Sequence, residues 1–184
     1  MVYVALLRGI NVGGKNKVPM PALTATFETA GMQNVVTYIN SGNVVFCHEQ
    51  QPRAELAHAL EAAITRDFGL SVPVLLRSLD EYEAMIQHLP EEWTNDKRAK
   101  SDVLFLQDEI DTPKVVNELT IKRGVDTVVY TPGAVLWTVA RPAVTRSGMM
   151  RLAGSRLYQR MTIRNVNTTR ALAELMRRSA GECT

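Results

Sequence analysis

The sequence predicts an α+β protein made of two split βαβ halves in tandem. Three observations carry that prediction. Short apolar runs rich in β-branched residues alternate with amphipathic helical stretches, two tight-turn signals each join a pair of adjacent runs, and the pattern of residues 1–90 partly repeats after residue 100.

"VYVALL" (2–7) is a continuous apolar run that reads as a buried strand. A helix follows the glycine-rich stretch behind it. Pro19 and Pro21 suit the first turn, Met20, Leu23, Phe27 and Ala30 recur at helical spacing, and Gly31 with Met32 reads as a left-handed cap that returns a hydrophobic contact to Phe27. "VVTYI" and "VVFC" flank "NSGN" (40–43), whose Asn and Gly residues tolerate the positive φ of a tight hairpin turn. A second helix runs from Pro52 to Phe68 on the stripe Leu56, Leu60 and Ile64, with Gly69 as terminator, and "VPVLLR" (72–77) closes the half. Strand, helix, strand, strand, helix, strand is the ferredoxin-like order. That plan puts the loop after the first strand and the hairpin turn at the same end of the sheet, so Arg8, Asn11, Lys15, Asn16 and Lys17 are expected near Asn40, Ser41 and Asn43.

Ser78 and Glu81 have capping-box spacing and start a third helix carrying Leu79, Tyr82, Met85, Ile86 and Leu89, which Pro90 ends. The charged stretch 91–100 reads as a linker between an N-terminal subdomain (1–90) and a C-terminal subdomain (101–184). In the latter, "DVLFL" (102–106) is a strand, Thr112 and Pro113 start a short helix, and Val125–Tyr130 and Ala134–Ala140 form a hairpin across "TPG". Helices are expected at about 149–160 and 166–178, with no clear final strand. The second half is therefore expected to be incomplete, or to share a sheet or exchange terminal helices with the first.

At 184 residues and 46% hydrophobic, the chain is core-forming. No run approaches the ~18 apolar residues of a spanning helix, and the N-terminus lacks a basic leader, which predicts a cytoplasmic protein with no membrane partner. Cys47 and Cys183, the two cysteines, lie far apart in sequence and read as free thiols in a reducing compartment. Net charge is +2, yet residues 141–178 hold nine Arg against the single acid Glu174. Such asymmetry points to nucleic acid or another anion as partner, or to pairing with the acidic front of the same molecule.

In "RGINVGGKNK" (8–17), Gly9, Gly14 and Lys15 meet the first part of the P-loop spacing, but Asn16 stands where Ser or Thr would hold magnesium. The helix start at Pro19–Pro21 lies too far beyond Lys15, and an antiparallel hairpin follows where a parallel crossover is needed, so a nucleotide hydrolase is rejected. A simpler anion cradle survives, built from Arg8, Asn11, Gly13, Gly14, Lys15, Lys17, Ser41 and Asn43; the alternative is an ordinary turn with solvated lysines. The second polar stretch, "RMTIRNVNTTR" (160–170), adds Arg164 and Asn165 as candidate ligand contacts, although Asn165, Asn167 and Thr168 are also good helix N-caps and Arg170 needs a partner if it points inward. His48, His58 and His88 are isolated, so no metal site is expected, and no cofactor motif, catalytic triad or paired carboxylates stand out. Tyr3 and Phe46 lie on neighbouring strands, but alternation buries them before it makes a base-stacking platform.

"ALLRGINVGGKNKVPMPAL", "VVTYINSGNVVF" and "TIRNVNTTRALAEL" together resemble the bacterial domain-of-unknown-function 1697 family. The resemblance implies two ferredoxin-like halves in one chain and no established role. Val166 stands where that family commonly has Trp, and Gly148 where it usually has Lys, which removes an aromatic platform and a charge from the second stretch. The functional expectation is a monomeric or weakly dimeric binding protein, rather than an enzyme, that holds a phosphate-containing small molecule or nucleic acid at the loop end of the N-terminal half. The alternatives are a small phosphoryl or acyl hydrolase with acylphosphatase-like logic, in which Asn43 would place water, and a protein-interaction module that uses an exposed sheet edge.

Overall fold

The computed structural model describes residues 1–49 and 51–183. It is a mixed α+β structure with two four-stranded antiparallel sheets. The chain divides into two compact units, one of residues 1–82 with 172–184 and one of residues 83–171.

In the first unit, β1 (Val2–Leu7) is buried along its whole length because it pairs on both sides, with β3 (Asn43–Cys47) and β4 (Val74–Ser78). A strand covered on both edges and both faces has no use for polar alternation, which explains the unbroken "VYVALL". The sheet order is β2-β3-β1-β4, with β2 (Gln33–Tyr38) on an edge. Helix α1 (Met20–Thr29) ends in a Schellman closure: Met32 N donates to Phe27 O at 3.0 Å and Gly31 N to Glu28 O at 2.9 Å, with Gly31 at φ 95°. Phe27 and Met32 are both buried, as the cap's hydrophobic contact requires. The apolar stripe of α2 (Arg53–Phe68) packs with α1 and the sheet into one core, in which Tyr3 stacks on Phe46 (5.8 Å between ring centres) and Phe27 meets Phe46 edge-on at 5.7 Å. A reciprocal capping box opens α3 (Leu79–Ile86), in which Ser78 N donates to Glu81 Oε2 and Glu81 N to Ser78 Oγ.

The second unit repeats the strand order as β6-β7-β5-β8. β5 (Ala99–Leu106) is central, β6 (Asp126–Thr131) and β7 (Ala134–Ala140) form the hairpin, and β8 (Met161–Asn165) is the closing strand that the sequence reading lacked. It pairs with β5 from Asp102↔Asn165 to Leu106↔Met161. Two expected helices are 3-10 turns instead, over Pro113–Glu118 and across 141–160. In the latter, Ser147 and Ser155 each accept a backbone N–H two or three residues ahead and restart the chain direction, and the buried Met149 and Leu152 are three residues apart, the period of a 3-10 turn. Helix α4 (Val166–Ala180) begins in the second unit and ends in the first.

The cysteines are not free. Cys47 and Cys183 form a disulfide with Cα atoms 5.7 Å apart, inside the first unit. The end of α4 returns the chain to the last residue of β3, and a sequence separation of 136 gave no hint of that approach. Free thiols therefore no longer support a reducing compartment. No helix among the described residues is long and apolar enough to cross a membrane.

Candidate functional site

Two buried anchors, Ile10 and Val18, pinch off the stretch between them as an exposed tongue. Within it, Lys15 N donates to Val12 O and Asn11 N to Asn16 O, both at 3.0 Å, which makes a miniature hairpin. Its tip is Gly13-Gly14 at φ 57° and 76°, the two positive values of a type I′ turn, and no other atom would meet a Cβ there. These glycines are required by backbone conformation, with no close approach of another group.

Asn11 staples the tongue to the rest of the sheet end. Its Oδ1 accepts from Val18 N at 2.8 Å, while its Nδ2 donates to Val18 O at 2.9 Å and to Asn40 O at 3.0 Å in the β2–β3 turn. Asn16 Nδ2 donates to Gly9 O at 2.9 Å. The turn itself is drawn in by Leu7 N, which donates to Gly42 O at 2.8 Å, and a Cβ on Gly42 would lie 2.7 Å from Leu7 Cβ. The loop after β1 and the β2–β3 turn thus meet, as the strand order demands.

Among the candidate residues, Lys15 and Lys17 are exposed and Arg8 is half-buried, with its N–H on Pro73 O. Asn43 is fully buried, and its Nδ2 donates to Tyr38 O and Ser41 Oγ, each at 3.0 Å. That amide braces the turn and faces no solvent, which removes the water-placing group an acylphosphatase-like mechanism needs. A surface cleft of about 400 Å³ opens between the tongue and the start of α1, lined by Asn11, Gly14, Lys17, Val18, Pro19, Met20 and Asn40. Pro19 caps α1 without any side-chain bond, and the first turn holds no acid, so the positive end of the helix faces the cleft uncompensated. The sequence reading placed Asn40 beside the loop but missed Val18 and Met20 as lining residues; Pro19 and Pro21 at a helix start were the available signal.

Arg164 and Asn165 belong to the second unit and have partners there. Asn165 Oδ1 accepts from Thr168 N at 2.9 Å and so caps α4, and Arg164 donates to Ile163 O at 2.9 Å. Arg170 forks onto backbone carbonyls, NH1 to Trp93 O and NH2 to Pro90 O, both at 2.7 Å. Arg141 donates to Asp96 O at 2.8 Å and Asn95 Oδ1 at 3.1 Å, and Asn167 Nδ2 to Asn95 O at 3.1 Å. Together they grip the 90–96 segment. Donation from Arg98 N, joined by Ala99 N, holds the exposed Asp96 carboxyl at about 2. A second carboxylate, Asp126, accepts from Lys122 N, Gly148 N, Trp137 Nε1 and Ser147 Oγ. Burial pushes it up, but the donors led by Ser147 outweigh that and hold it below the ordinary carboxylate value. Beside it, a Cβ on Gly148 would lie 1.4 Å from Thr120 O, so no side chain fits there without moving the Thr120 backbone. Tyr3 and Phe46 are both buried and offer no stacking platform. No group of three His, Cys, Asp or Glu side chains among the described residues could hold a metal ion.

The sequence model of a family described as "protein of unknown function (DUF1697)" matches residues 1–137. Among solved structures, the conserved bacterial protein SP0830 from Streptococcus pneumoniae is similar at 30% sequence identity and a TM-score of 0.81, over 95% of this chain and 98% of that one. A search of curated proteins finds no match.

Proposed function

We propose a function for a chain that belongs to the DUF1697 family: it binds a small phosphate-bearing anion in the cleft between the glycine tongue and the start of α1. The observation that carries this reading is the cleft itself, about 400 Å³ in volume, at the uncompensated positive end of α1 with Lys17 on its rim. Its size suits a metabolite better than a polymer. Lys17 supplies the charge and the tongue's backbone supplies polar contacts, while Asn11, Ser41 and Asn43 hold the loop in place and Lys15 steers from outside. Both units are taken as ferredoxin-like halves, the second with 3-10 turns in place of two helices. That plan supports the reading by putting the tongue and the β2–β3 turn at one sheet end.

Thermal shift tests it, using inorganic phosphate, nucleotides, sugar phosphates and short RNA and DNA at low and moderate salt. A ligand at a hundred times its Kd adds about 2.7 kcal/mol to the native state, several degrees in a chain of this size. The expected result is stabilisation by one phosphorylated small molecule, lost in Lys17→Ala and weakened in Lys15→Ala. No shift with any anion, or a shift that survives both substitutions, rejects the site.

A further inference from the structure

The disulfide lies at the other end of the first sheet from the tongue, where Cys47 closes β3 opposite Val2. The two sulfurs differ in access. Cys47 is 3% exposed. Cys183, half-buried after the exposed turn that follows α4, lines two surface clefts of about 360 and 240 Å³, one toward Gln33 and His48, which Cys47 also borders, and the other toward Leu79 and Ala180, which Cys47 does not reach. The tail is lightly held. Glu182 N and Cys183 N both donate to Ser179 O within the tail, and besides the disulfide Asn34 Nδ2 donates to Glu182 O at 2.7 Å and Cys47 Sγ lies 3.9 Å from Ser179 O. Asn34 itself sits at φ 49° in the irregular stretch of β2, where pairing skips from Gln33 to Val36.

We propose that Cys183 is a thiol-exchange site for a low-molecular-weight thiol of the glutathione class, and that the disulfide is a reversible latch on the C-terminal tail. An incoming thiolate enters from either cleft and attacks Cys183 Sγ in line with the bond to Cys47. The new S–S bond forms as the old one breaks; Cys47 leaves with the electron pair as a thiolate and takes a proton from water, and Cys183 carries the mixed disulfide. A second thiolate attacks the sulfur of the bound small thiol, releasing the oxidised dimer of the small thiol and leaving Cys183 reduced. Two small thiols thus supply the two electrons. Access sets the direction of attack, since Cys47 is 3% exposed and borders one cleft, while Cys183 is half-buried and borders both. With the bond open, the tail rests on the Asn34–Glu182 bond and on a 3.9 Å contact of Cys47 Sγ with Ser179 O, and displacement of Cys183 merges the two clefts into one groove beside Met1.

The full oxidised chain is incubated in glutathione buffers of rising reduced-to-oxidised ratio, quenched by alkylation, and mapped by peptide mass and amide hydrogen exchange. The expected result is a glutathione adduct on the peptide carrying Cys183 with Cys47 alkylated, and exchange at Glu182 and Cys183 faster by about tenfold or more while the β3 amides stay protected. Cys47→Ser still takes the adduct at Cys183, and Cys183→Ser shows the fast-exchanging tail even in oxidising buffer. An adduct that appears first on Cys47 overturns the proposal. So does a disulfide that resists every buffer until denaturant unfolds the chain, or a pair of thiols that never joins under oxidised glutathione.

Discussion

If Asn11 fastens the tongue, replacing it should loosen the tongue before it unfolds anything else. The side chain makes three bonds, to Val18 N, Val18 O and Asn40 O, at 2.8 to 3.0 Å. At about 0.5–1.5 kcal/mol net for each, and toward the lower end because two of the partners are partly open to water, their loss costs about 2 kcal/mol. Asn11 also sits at φ 54°, a conformation glycine adopts freely and alanine does not, so Asn11→Ala adds roughly 1 kcal/mol that Asn11→Gly avoids. The two variants separate side-chain bonding from backbone strain. Amide hydrogen exchange at Val18 is the direct assay, because its N–H loses its acceptor in both variants while its carbonyl and the strands do not move. A local loss of 2 kcal/mol speeds exchange there about thirtyfold. If Val18 is as protected in Asn11→Gly as in wild type, the staple does not hold the tongue and the cleft beside it is not preformed.

Asp126→Asn puts an amide NH2 among four donors and should cost about 2–3 kcal/mol, read by urea unfolding with Trp137 fluorescence. Because the folded-state carboxyl lies below its ordinary value, its contribution is fully present above about pH 4 and drains away as pH falls through the folded value, so acid should destabilise wild type more than Asp126→Asn. Gly148→Ala forces the Thr120 backbone aside and should cost about 1–3 kcal/mol; an unchanged urea midpoint would mean that the Thr120 segment yields freely. Arg170→Lys keeps the charge but loses the fork onto Trp93 O and Pro90 O, so Trp93 should become more open to collisional quenching at a cost of about 2 kcal/mol.

Elements whose signal is local were legible. The Phe27–Met32 closure, the Ser78–Glu81 box and the unbroken "VYVALL" each follow from a handful of adjacent residues, and the structure holds them in those roles. What the sequence hid depends on tertiary contact. "MTIRN" carries N-cap residue types that suggest a helix start, and it becomes β8 because β5 offers it a free edge. The stretch 148–160 has enough apolar residues for a helix, but Ser147 and Ser155 bind their own downstream amides and Gly154 adds no helix-forming weight, so the chain settles into 3-10 turns against the second core. At the candidate site, the meeting of tongue and turn followed from strand order. Which polar groups were already occupied did not, because Asn11 and Asn43 spend their amides on carbonyls that a sequence does not place.

The same blindness to carbonyls bears on the basic C-terminal third. Counting formal charges, nine Arg against one acid in 141–178 points to an anionic partner or to pairing with the acidic front of the same molecule. Backbone oxygens carry no formal charge, yet they occupy Arg141, Arg164 and Arg170, while Glu109 and Glu174 pair with Arg160 and Arg178, and Arg177 on α4 is engaged as well. Arg146, Arg151 and Arg156 are exposed on the 3-10 ribbon, whose stretch from 141 to 160 contains no acid. A polyanion docking on this segment would therefore neutralise about three charges, not nine, and its log–log salt slope would lie near −2.7, since each phosphate neutralised contributes about −0.9. Binding of duplex DNA to wild type and to the Arg146, Arg151 and Arg156→Ala triple variant decides the matter. A wild-type slope near −8 that falls only to about −5.4 in the triple variant, the value for the six arginines left at about −0.9 each, would mean that the carbonyl-bound arginines are free to leave the 90–96 segment, and the clamp would then be a docking surface at rest.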